Sequence, residues 1–222
     1  MYFVPLSPSC YHNAVVGAIV NVANSAISPG FPTNFRVLFP NGIFALMSEI
    51  RIAYLADTPE YIPLIAEWHH NQWSYLENAP TLEQRKARLK HHLQRNAIPT
   101  TFVAWRDEQS VGCASLVAND MQVLSEWIPW LASVYVLPDQ RRQGIASMLV
   151  QRVATEAKNL GYPRLYLYTE DQMHLYETLG FHASHQRIYR GYEMTVMARD
   201  LIVNPPPDLA EILPTATKSP DS

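Results

Sequence analysis

A short loop at residues 141–146, Arg-Arg-Gln-Gly-Ile-Ala, has the residue types of an anion-binding site. It follows a β-branched and aromatic segment, and apolar residues recur after it with helical spacing, so it should join a strand to a helix. Gly144 would let the backbone approach a ligand closely, since no Cβ stands in the way. The first amides of the helix would point outward beside Arg141 and Arg142. The loop therefore predicts a seat for a phosphate or pyrophosphate group.

A second segment, Leu-Tyr-Glu-Thr-Leu-Gly-Phe at residues 175–181, ends a short helix that follows another predicted strand. The two strands are about 30 residues apart, which is the spacing of a βαβ unit. Together the two motifs resemble the Gcn5-related N-acetyltransferase (GNAT) family. In that family an Arg/Gln-x-x-Gly-x-Gly/Ala loop holds the pyrophosphate of acetyl-coenzyme A (acetyl-CoA), and a Tyr-Glu-x-x-Gly-Phe segment completes the site. The resemblance covers residues 50–201.

The resemblance implies the chemistry of acetyl transfer from a thioester to an amine. Such a reaction needs a neutral amine, hydrogen-bond donors for the tetrahedral oxyanion, and a proton for the leaving thiolate. The family has the thioester beside the central strand, so the amide of Val134, Tyr135 or Val136 would hold the carbonyl oxygen. The pyrophosphate would lie on the amides of residues 142–146. The implied coenzyme-binding residues are Val134, Tyr135, Val136, Arg141, Arg142, Gln143, Gly144, Ile145 and Ala146.

Tyr176 matches the tyrosine that often acts as general acid in this family. A phenol with a pKa of about 10 can protonate a thiolate whose conjugate acid has a pKa of about 8.5. The alternative is a packing role, because Leu175, Tyr176 and Leu179 share one face of the predicted helix. The family motif favours the role of general acid for Tyr176. The asparagine that often stands seven positions before this tyrosine is Thr169 here.

The general base is expected among the carboxylates near the central strand. Glu126 lies just before that strand, where the family often has a carboxylate; Asp120 is a second candidate and a water relay a third. Trp127 and Trp130 lie in the loop at the expected mouth of the site, so they are predicted to line the acceptor site together with Asp120. Acidic residues at this end favour a cationic acceptor. They are Asp120, Glu126, Glu170 and Asp171.

The composition of the chain limits the classes of molecule that it is expected to bind. The chain has 222 residues, a formal net charge of -3 and a pI of about 6.2. This balance argues against a general nucleic-acid or anionic-membrane binder. The two cysteines, Cys10 and Cys113, do not make a disulfide framework, which favours the cytoplasm. Cys113 lies in an apolar run, so it is interpreted as a buried, unreactive thiol.

Adjacent histidines occur at residues 69–70 and 91–92, each pair within a predicted helix. Neighbouring residues point about 100° apart on a helix, so one metal ion could not bind both members of a pair. These histidines are therefore interpreted as surface residues, and no metal site is predicted. The nearby basic residues are likewise interpreted as a solvated helix face. They are Arg85, Lys86, Arg88, Lys90 and Arg95.

Local patterns distribute these residues over a mixed α/β fold. The element order is predicted as β-α-α-β-β-β-α-β-α-β-β, and the family resemblance implies a GNAT-like, mostly antiparallel central sheet flanked by helices. A helix should open at residues 57–59, and a second, running to about residue 95, should begin with a capping box at residues 81–84. Residues 107–110 are the predicted turn of a hairpin.

The ends of the chain differ in composition from its middle. Residues 1–46 contain no charged side chain before Arg36 and are predicted to be a poorly ordered extension. Residues 47–202 are the predicted acetyltransferase domain, and residues 203–222, rich in proline, serine and threonine, are a predicted disordered tail. Met47 directly precedes the first strand and is a candidate initiator.

The sequence as a whole predicts an N-acetyltransferase that moves an acetyl group from acetyl-CoA to a primary amine of a small molecule. The amine would attack directly in a ternary complex. Peptide or protein N-acetylation is one alternative and needs an open groove; a non-catalytic acyl-CoA-binding module is another. Tyr176 and a carboxylate within reach favour the enzyme. The expected partners are acetyl-CoA and the amine, without nucleic acid, membrane or metal, in a cytoplasmic monomer or homodimer.

Overall fold

The computed structural model of the chain describes residues 49–201, which form a seven-stranded sheet and four α-helices. The strands are β1 (Ile50–Tyr54), β2 (Thr100–Arg106), β3 (Gln109–Val117), β4 (Trp130–Val136), β5 (Arg164–Thr169), β6 (His182–Tyr189) and β7 (Tyr192–Asp200). The helices are α1 (Ile62–Trp73), α2 (Leu82–His91), α3 (Ile145–Asn159) and α4 (Met173–Thr178). The predicted element order and the mixed, mostly antiparallel α/β class are confirmed.

The sheet has the strand order β1-β2-β3-β4-β5-β7-β6, and its parallel pair, β4–β5, opens a cleft. These two strands are in register at a single point, where Trp130 lies opposite Tyr166. The other neighbouring strands form antiparallel ladders along their length. Trp130 is the first residue of β4, so the two strands separate toward their carboxyl ends, just before α3 and α4 begin. Open α/β sheets bind ligands at such a crevice.

The two faces of the sheet bury separate apolar clusters. Alternation along β2 sends Phe102 and Ala104 to the cluster that packs against α3, and Val103 and Trp105 to the cluster that packs against α1. Cys113 belongs to the second cluster and is fully buried. Its predicted burial is thus confirmed, and burial raises the pKa of its thiol.

The capping box predicted for α2 is present. Thr81 Oγ1 accepts a hydrogen bond from the Gln84 amide at 3.3 Å, and the Thr81 amide donates to Gln84 Oε1 at 2.9 Å. These bonds satisfy two amides that the first turn of a helix otherwise leaves without partners. α2 ends at His91, about one turn before the predicted end.

Two other predicted boundaries shift. α1 begins at Ile62, because the chain first makes two short 3-10 turns at Leu55–Asp57 and Pro59–Tyr61. The β2–β3 turn is tighter than the four residues predicted, since Asp107 takes a left-handed φ of +54° and β3 already begins at Gln109. Aspartate tolerates that conformation better than most residues.

None of the helices between residues 49 and 201 has the length and apolar character needed to cross a bilayer. Three sequence predictions fall outside the described residues: the extension at 1–46, the tail at 203–222, and Cys10 within the extension.

A protein that begins at Met47 should fold with a melting temperature close to that of the full chain. The reason is that the seven-stranded sheet and its apolar clusters are built from residues between 50 and 201. Differential scanning calorimetry of the two proteins side by side checks this. Insolubility of the shorter protein, or a much lower melting temperature, would show that residues 1–46 contribute to the fold.

Candidate active site

The cleft between β4 and β5 widens into a cavity of about 730 Å³. Its walls include β4, the first turn of α3, the β5–α4 loop and α4. Gln143 does not line it: its Oε1 accepts from Arg106 Nη2 at 2.8 Å, and its Nε2 donates to Asp139 O at 3.4 Å, so its side chain braces the loop. The other eight predicted coenzyme-binding residues do line it. They are Val134, Tyr135, Val136, Arg141, Arg142, Gly144, Ile145 and Ala146.

The loop before α3 has the backbone shape of an anion-binding site. Arg142 and Gly144 have positive φ values of +60° and +81°, which curve the chain into a concave turn. Gly144 is the N-cap residue of α3 and no side chain caps the helix, so amides of the first turn remain available. A Cβ placed on Gly144 would have no heavy atom within 4 Å, so the space beside the loop is open.

Arg141 is held in place beside these amides. Its Nε donates to Val136 O at 2.9 Å, and its guanidinium carbon lies 5.9 Å from the centre of the Tyr135 ring. Arg142 is exposed at the cavity rim. Two guanidinium groups and the start of a helix together favour a phosphate group at this wall.

A β-bulge interrupts β4 where that strand lines the cavity. Tyr135 pairs with Cys113 and Ala132 pairs with Ser115, so Ser133 and Val134 together oppose a single residue of β3. Ser133 has a φ of +53°. The thiol of Cys113 lies 3.8 Å from Ser133 O as a weak donor. Because the peptide is trans, the Val134 N–H points the opposite way from that carbonyl, so the bulge frees an amide of the predicted set from the ladder.

Tyr176 lies on α4 with 8% of its surface exposed and also lines the cavity. Its ring packs edge-on against Phe181 at 5.9 Å between centroids. Burial, and then the negative charge of Asp171, raise the pKa of the phenol to about 12. Tyr176 is therefore a neutral proton donor at physiological pH. Thr169 Oγ1 accepts from the Gln172 amide at 3.0 Å, which fixes the turn that leads into α4.

The two candidate bases occupy different environments. Asp120 lines the cavity, and burial raises the pKa of its carboxyl while the nearby Arg190 guanidinium opposes that rise. Glu126 is exposed in the loop before β4 and is not among the lining residues, so the structure does not bring it together with Tyr176. Glu170 and Asp171, predicted to lie at the acceptor end, line the cavity that contains the predicted coenzyme-binding residues, and Glu170 accepts from Tyr75 Oη at 3.0 Å.

The two tryptophans predicted to line the acceptor site are packed elsewhere. Trp130 is fully buried in a cluster with residues of β7 and the β3–β4 loop, and its Nε1 donates to Trp127 O. The Trp127 ring packs against Tyr166 with centroids 4.8 Å apart. Neither lines this cavity, because the alternation of β4 turns Trp130 into the core and Trp127 covers the neighbouring strand. Trp73, at the end of α1, lines the cavity instead.

A second cavity, of about 470 Å³, adjoins the first at the β4 bulge. The residues that line both cavities are Arg85, Arg88, Asp120, Ala132, Ser133 and Arg190. The residues that line only the second cavity include members of α1, α2 and the β3–β4 loop, whereas those that line only the first include members of α3, the β5–α4 loop and α4. Two ligands, one in each cavity, would meet beside Ser133.

The surface interpretation of the histidines is wrong for His69 and His92, which line the second cavity. His69 is 5% exposed, and its Nε2 lies 3.4 Å from Cys113 Sγ. Burial lowers the pKa of His69 to about 3, and His92, whose Nδ1 lies 2.9 Å from Thr101 Oγ1, has its pKa lowered to about 4 by the same cause. Both rings are neutral at physiological pH. Between residues 49 and 201 no cluster of histidine, cysteine and carboxylate side chains could hold a metal ion.

The interpretation of Arg85 as part of a solvated face is also wrong, since Arg85 is buried; Arg88 is exposed as expected, and both line the two cavities. The sequence did contain a signal. Arg85, Arg88, Leu89 and His92 have the spacing of one helix face, and all four line the second cavity. A search for purely apolar stripes misses a face that mixes cations with a leucine.

The sequence of this chain is similar to the sequences of known proteins. The profile of the Acetyltransferase (GNAT) family matches residues 62–181. Amino-acid acetyltransferase of Proteus mirabilis is 32% identical over 76 residues, which are 34% of this chain and 16% of that protein. The protein of the same name from Edwardsiella ictaluri is 28% identical over 94 residues, which are 42% of this chain and 20% of its own length. The chain thus spans a fifth or less of these curated relatives.

Solved structures match the fold over most of the described residues. An acetyltransferase from Salmonella typhimurium, solved with its cofactor acetyl-CoA, superposes with a TM-score of 0.55 at 19% identity, covering 72% of this chain and 98% of the other. An aminoglycoside 6'-N-acetyltransferase complexed with coenzyme A gives a TM-score of 0.57 at 15% identity, covering 70% and 99%. At such identities these likenesses establish the architecture alone.

Proposed function

Because the chain belongs to the Acetyltransferase (GNAT) family, and is thus an acyltransferase, we propose that it transfers the acetyl group of acetyl-CoA to a primary amine of a small molecule. The observation that carries this proposal is the meeting of two cavities at the β4 bulge. The first cavity has the features of a coenzyme site and the second has room for a separate acceptor. Two substrates held at once favour direct attack of the amine in a ternary complex.

The coenzyme would enter along the cleft between β4 and β5. Its pyrophosphate would lie on the amides after Gly144, beside Arg141 and Arg142, because this wall combines a helix start with two cations. The thioester would then reach β4, where the Val134 amide is turned out of the ladder. A fixed amide of this kind stabilises the oxyanion of a tetrahedral intermediate without reorganising during the reaction.

Proton movements would use two side chains of the cavity walls. Asp120 would accept a proton from the incoming ammonium, directly or through water, and the neutral amine would then attack the thioester carbon. As the carbon–sulfur bond breaks, the Tyr176 hydroxyl would donate its proton to the leaving thiolate sulfur, and the tyrosinate would recover a proton, directly or through water, from the nitrogen that becomes the amide. Asp120 lines both cavities, so it suits this role better than the exposed Glu126.

The alternatives receive less support from the geometry. A peptide acceptor needs an open groove, but the second cavity has a volume of about 470 Å³ and is bounded by the β6–β7 turn. A non-catalytic binding module would not need a buried tyrosine in the first cavity and a carboxylate where the two cavities meet. The matched relatives are named for acetylation of amino acids, so small amino compounds are the first acceptors to test.

Incubation with acetyl-CoA and a library of small amines should release free coenzyme A only when an accepted amine is present. Thiol release can be followed with a chromogenic disulfide, and mass spectrometry should find one added acetyl group on the amine. Boiled protein and reactions without amine are the controls. Tight binding of acetyl-CoA by calorimetry, with no acetylated product from any amine or peptide, would favour the binding module.

A further inference from the structure

We propose that the acceptor amine carries an anionic group, a carboxylate or a phosphate, and that Arg85, Arg88 and Arg190 bind this group in the second cavity. The inference rests on the proposed function and specifies the class of acceptor. It replaces the cationic acceptor expected from the acidic residues of the sequence.

The charges that line the second cavity are mostly positive. Three guanidinium groups contribute to its wall, and Asp120 is the one carboxylate among the described residues that line it. The histidines add no charge, since burial lowers the pKa values of His69 and His92 to about 3 and about 4. An acceptor with a positive charge and no negative one would therefore meet a net positive wall.

The three arginines come from distant parts of the chain and form no ion pair within the described residues, although Asp120 lines the same cavity. Arg85 and Arg88 lie one turn apart on α2, and Arg190 lies in the β6–β7 turn. The pKa of Arg85 is lowered by burial and then by the positive charges of Arg190 and Arg88. Within residues 49–201, no carboxylate oxygen lies within 4 Å of a guanidinium nitrogen of any of these three arginines. Repulsion between like charges would be offset by a bound anion.

The surroundings hold two of these arginines in place before any ligand binds. Arg85 Nε donates to Pro80 O at 3.2 Å, and its Nη2 donates to Trp73 O at 3.4 Å. The backbone carbonyl of Arg190 accepts a hydrogen bond from the Glu77 amide at 3.2 Å. The guanidinium carbon of Arg190 lies 5.3 Å from the centre of the Tyr189 ring. Guanidinium groups held in this way lose little freedom on binding an anion.

Asp120 fixes how such an acceptor would lie. It lines both cavities near the bulge, so the amine would sit against Asp120 and face the thioester, while the anionic group extends toward the arginines. A compound that bears an amine and an anion on the same small skeleton satisfies both ends. Carboxylates and phosphates share the geometry that a guanidinium group recognises. The experiment must therefore distinguish an acceptor with a carboxylate from an acceptor with a phosphate.

Matched pairs of amines test the class of acceptor. L-methionine is compared with methioninamide and 3-(methylthio)propylamine, L-glutamate with glutamine, and phosphoethanolamine with ethanolamine. The member with the additional anion should be acetylated with kcat/KM higher by roughly tenfold to a hundredfold, since hydrogen bonds to a charged group are strong when buried. The methionine and glutamate sets report on a carboxylate and the ethanolamine pair on a phosphate. Where no pair turns over, calorimetric titration of each probe into acetyl-CoA-saturated protein makes the same comparison.

Variants of Arg88, which is exposed, and of Arg190, which is half-buried, test the residues themselves. Arg88→Gln and Arg190→Gln should each raise the KM of the anionic acceptor by roughly tenfold or more and leave the KM of acetyl-CoA unchanged. Lys90→Gln, on the same helix outside both cavities, and Arg187→Gln, on the same hairpin, are matched controls and should change neither constant. Arg85 is less suitable, because its two bonds to backbone carbonyls also support the fold.

The outcomes separate this inference from the proposed function. Equal turnover or binding of the anionic and neutral members of every pair would overturn the anionic acceptor and leave the acetyltransferase intact. A rise in the KM of acetyl-CoA in the arginine variants would assign these side chains to the coenzyme. An absence of acetylated product from every amine, with the anionic probes still binding more tightly, would count against the enzyme and not against the anion site.

Discussion

Replacing Tyr176 by phenylalanine should lower turnover by roughly 10²- to 10⁴-fold, the usual contribution of a general acid. The change removes one hydroxyl group and very little volume. The affinity for acetyl-CoA should stay nearly constant, because the phenyl ring keeps its contacts with Phe181 and the rest of the cluster. Turnover is measured with any accepted amine, and the melting temperature is measured in parallel.

The environment of Tyr176 makes this variant informative. Among the hydrogen bonds of residues 49–201, none involves its hydroxyl group, so the fold should lose little when that group is removed. The raised pKa, about 12, keeps the phenol protonated across the physiological range. The hydroxyl group therefore carries its proton before the reaction begins. A packing residue in the same position would tolerate phenylalanine with turnover nearly intact.

Two further tyrosines on β5 provide the comparison. Tyr166→Phe changes a ring that packs against Trp127 outside the cavities and should leave turnover unchanged. Tyr168 lines the first cavity, and burial and the charge of Asp120 raise its pKa. If Tyr176→Phe is active and Tyr168→Phe is not, the proton donor is Tyr168. If both variants are fully active, water protonates the thiolate.

Replacing Gly144 by aspartate should abolish measurable binding of acetyl-CoA. The new carboxylate would project from the anion-binding loop, where it would repel the pyrophosphate and occupy the space through which the coenzyme approaches the amides. The fold should survive, because a Cβ at this position has no heavy atom within 4 Å. Isothermal titration calorimetry with acetyl-CoA gives the affinity, and circular dichroism checks the fold.

Two control variants separate the effect of the new charge on binding from the effect of backbone strain. Gly144→Asn has nearly the same shape as the aspartate and no charge, so it should weaken binding less. Gly161, beyond the other end of α3, has a φ of +85° and an equally open surrounding, so Gly161→Asp carries the same backbone strain away from the cavity. Acetyl-CoA affinity that is unchanged in Gly144→Asp would remove the loop from the coenzyme site.

The sequence by itself determined the element order and the loop of the proposed coenzyme site, because both depend on residues close together in the chain. The capping box at Thr81, the loop around Gly144 and the motif that contains Tyr176 each have a shape set by local backbone preferences. Five of the six residues predicted at positions 141–146 line the cavity for this reason. The first amides of a helix have no partner within that helix, so the loop before it exposes them whatever position the helix takes in the fold.

Only the tertiary structure decided the acceptor side. Arg85 comes from α2, Asp120 from the β3–β4 loop and Arg190 from the β6–β7 turn, and they meet because the sheet brings those elements to one end. Strand register turned Trp130 into the core, and a bulge at Ser133 selected the amide that faces the cavity. A shift of one residue in a strand moves every side chain to the other face, and register depends on contacts between strands far apart in the chain.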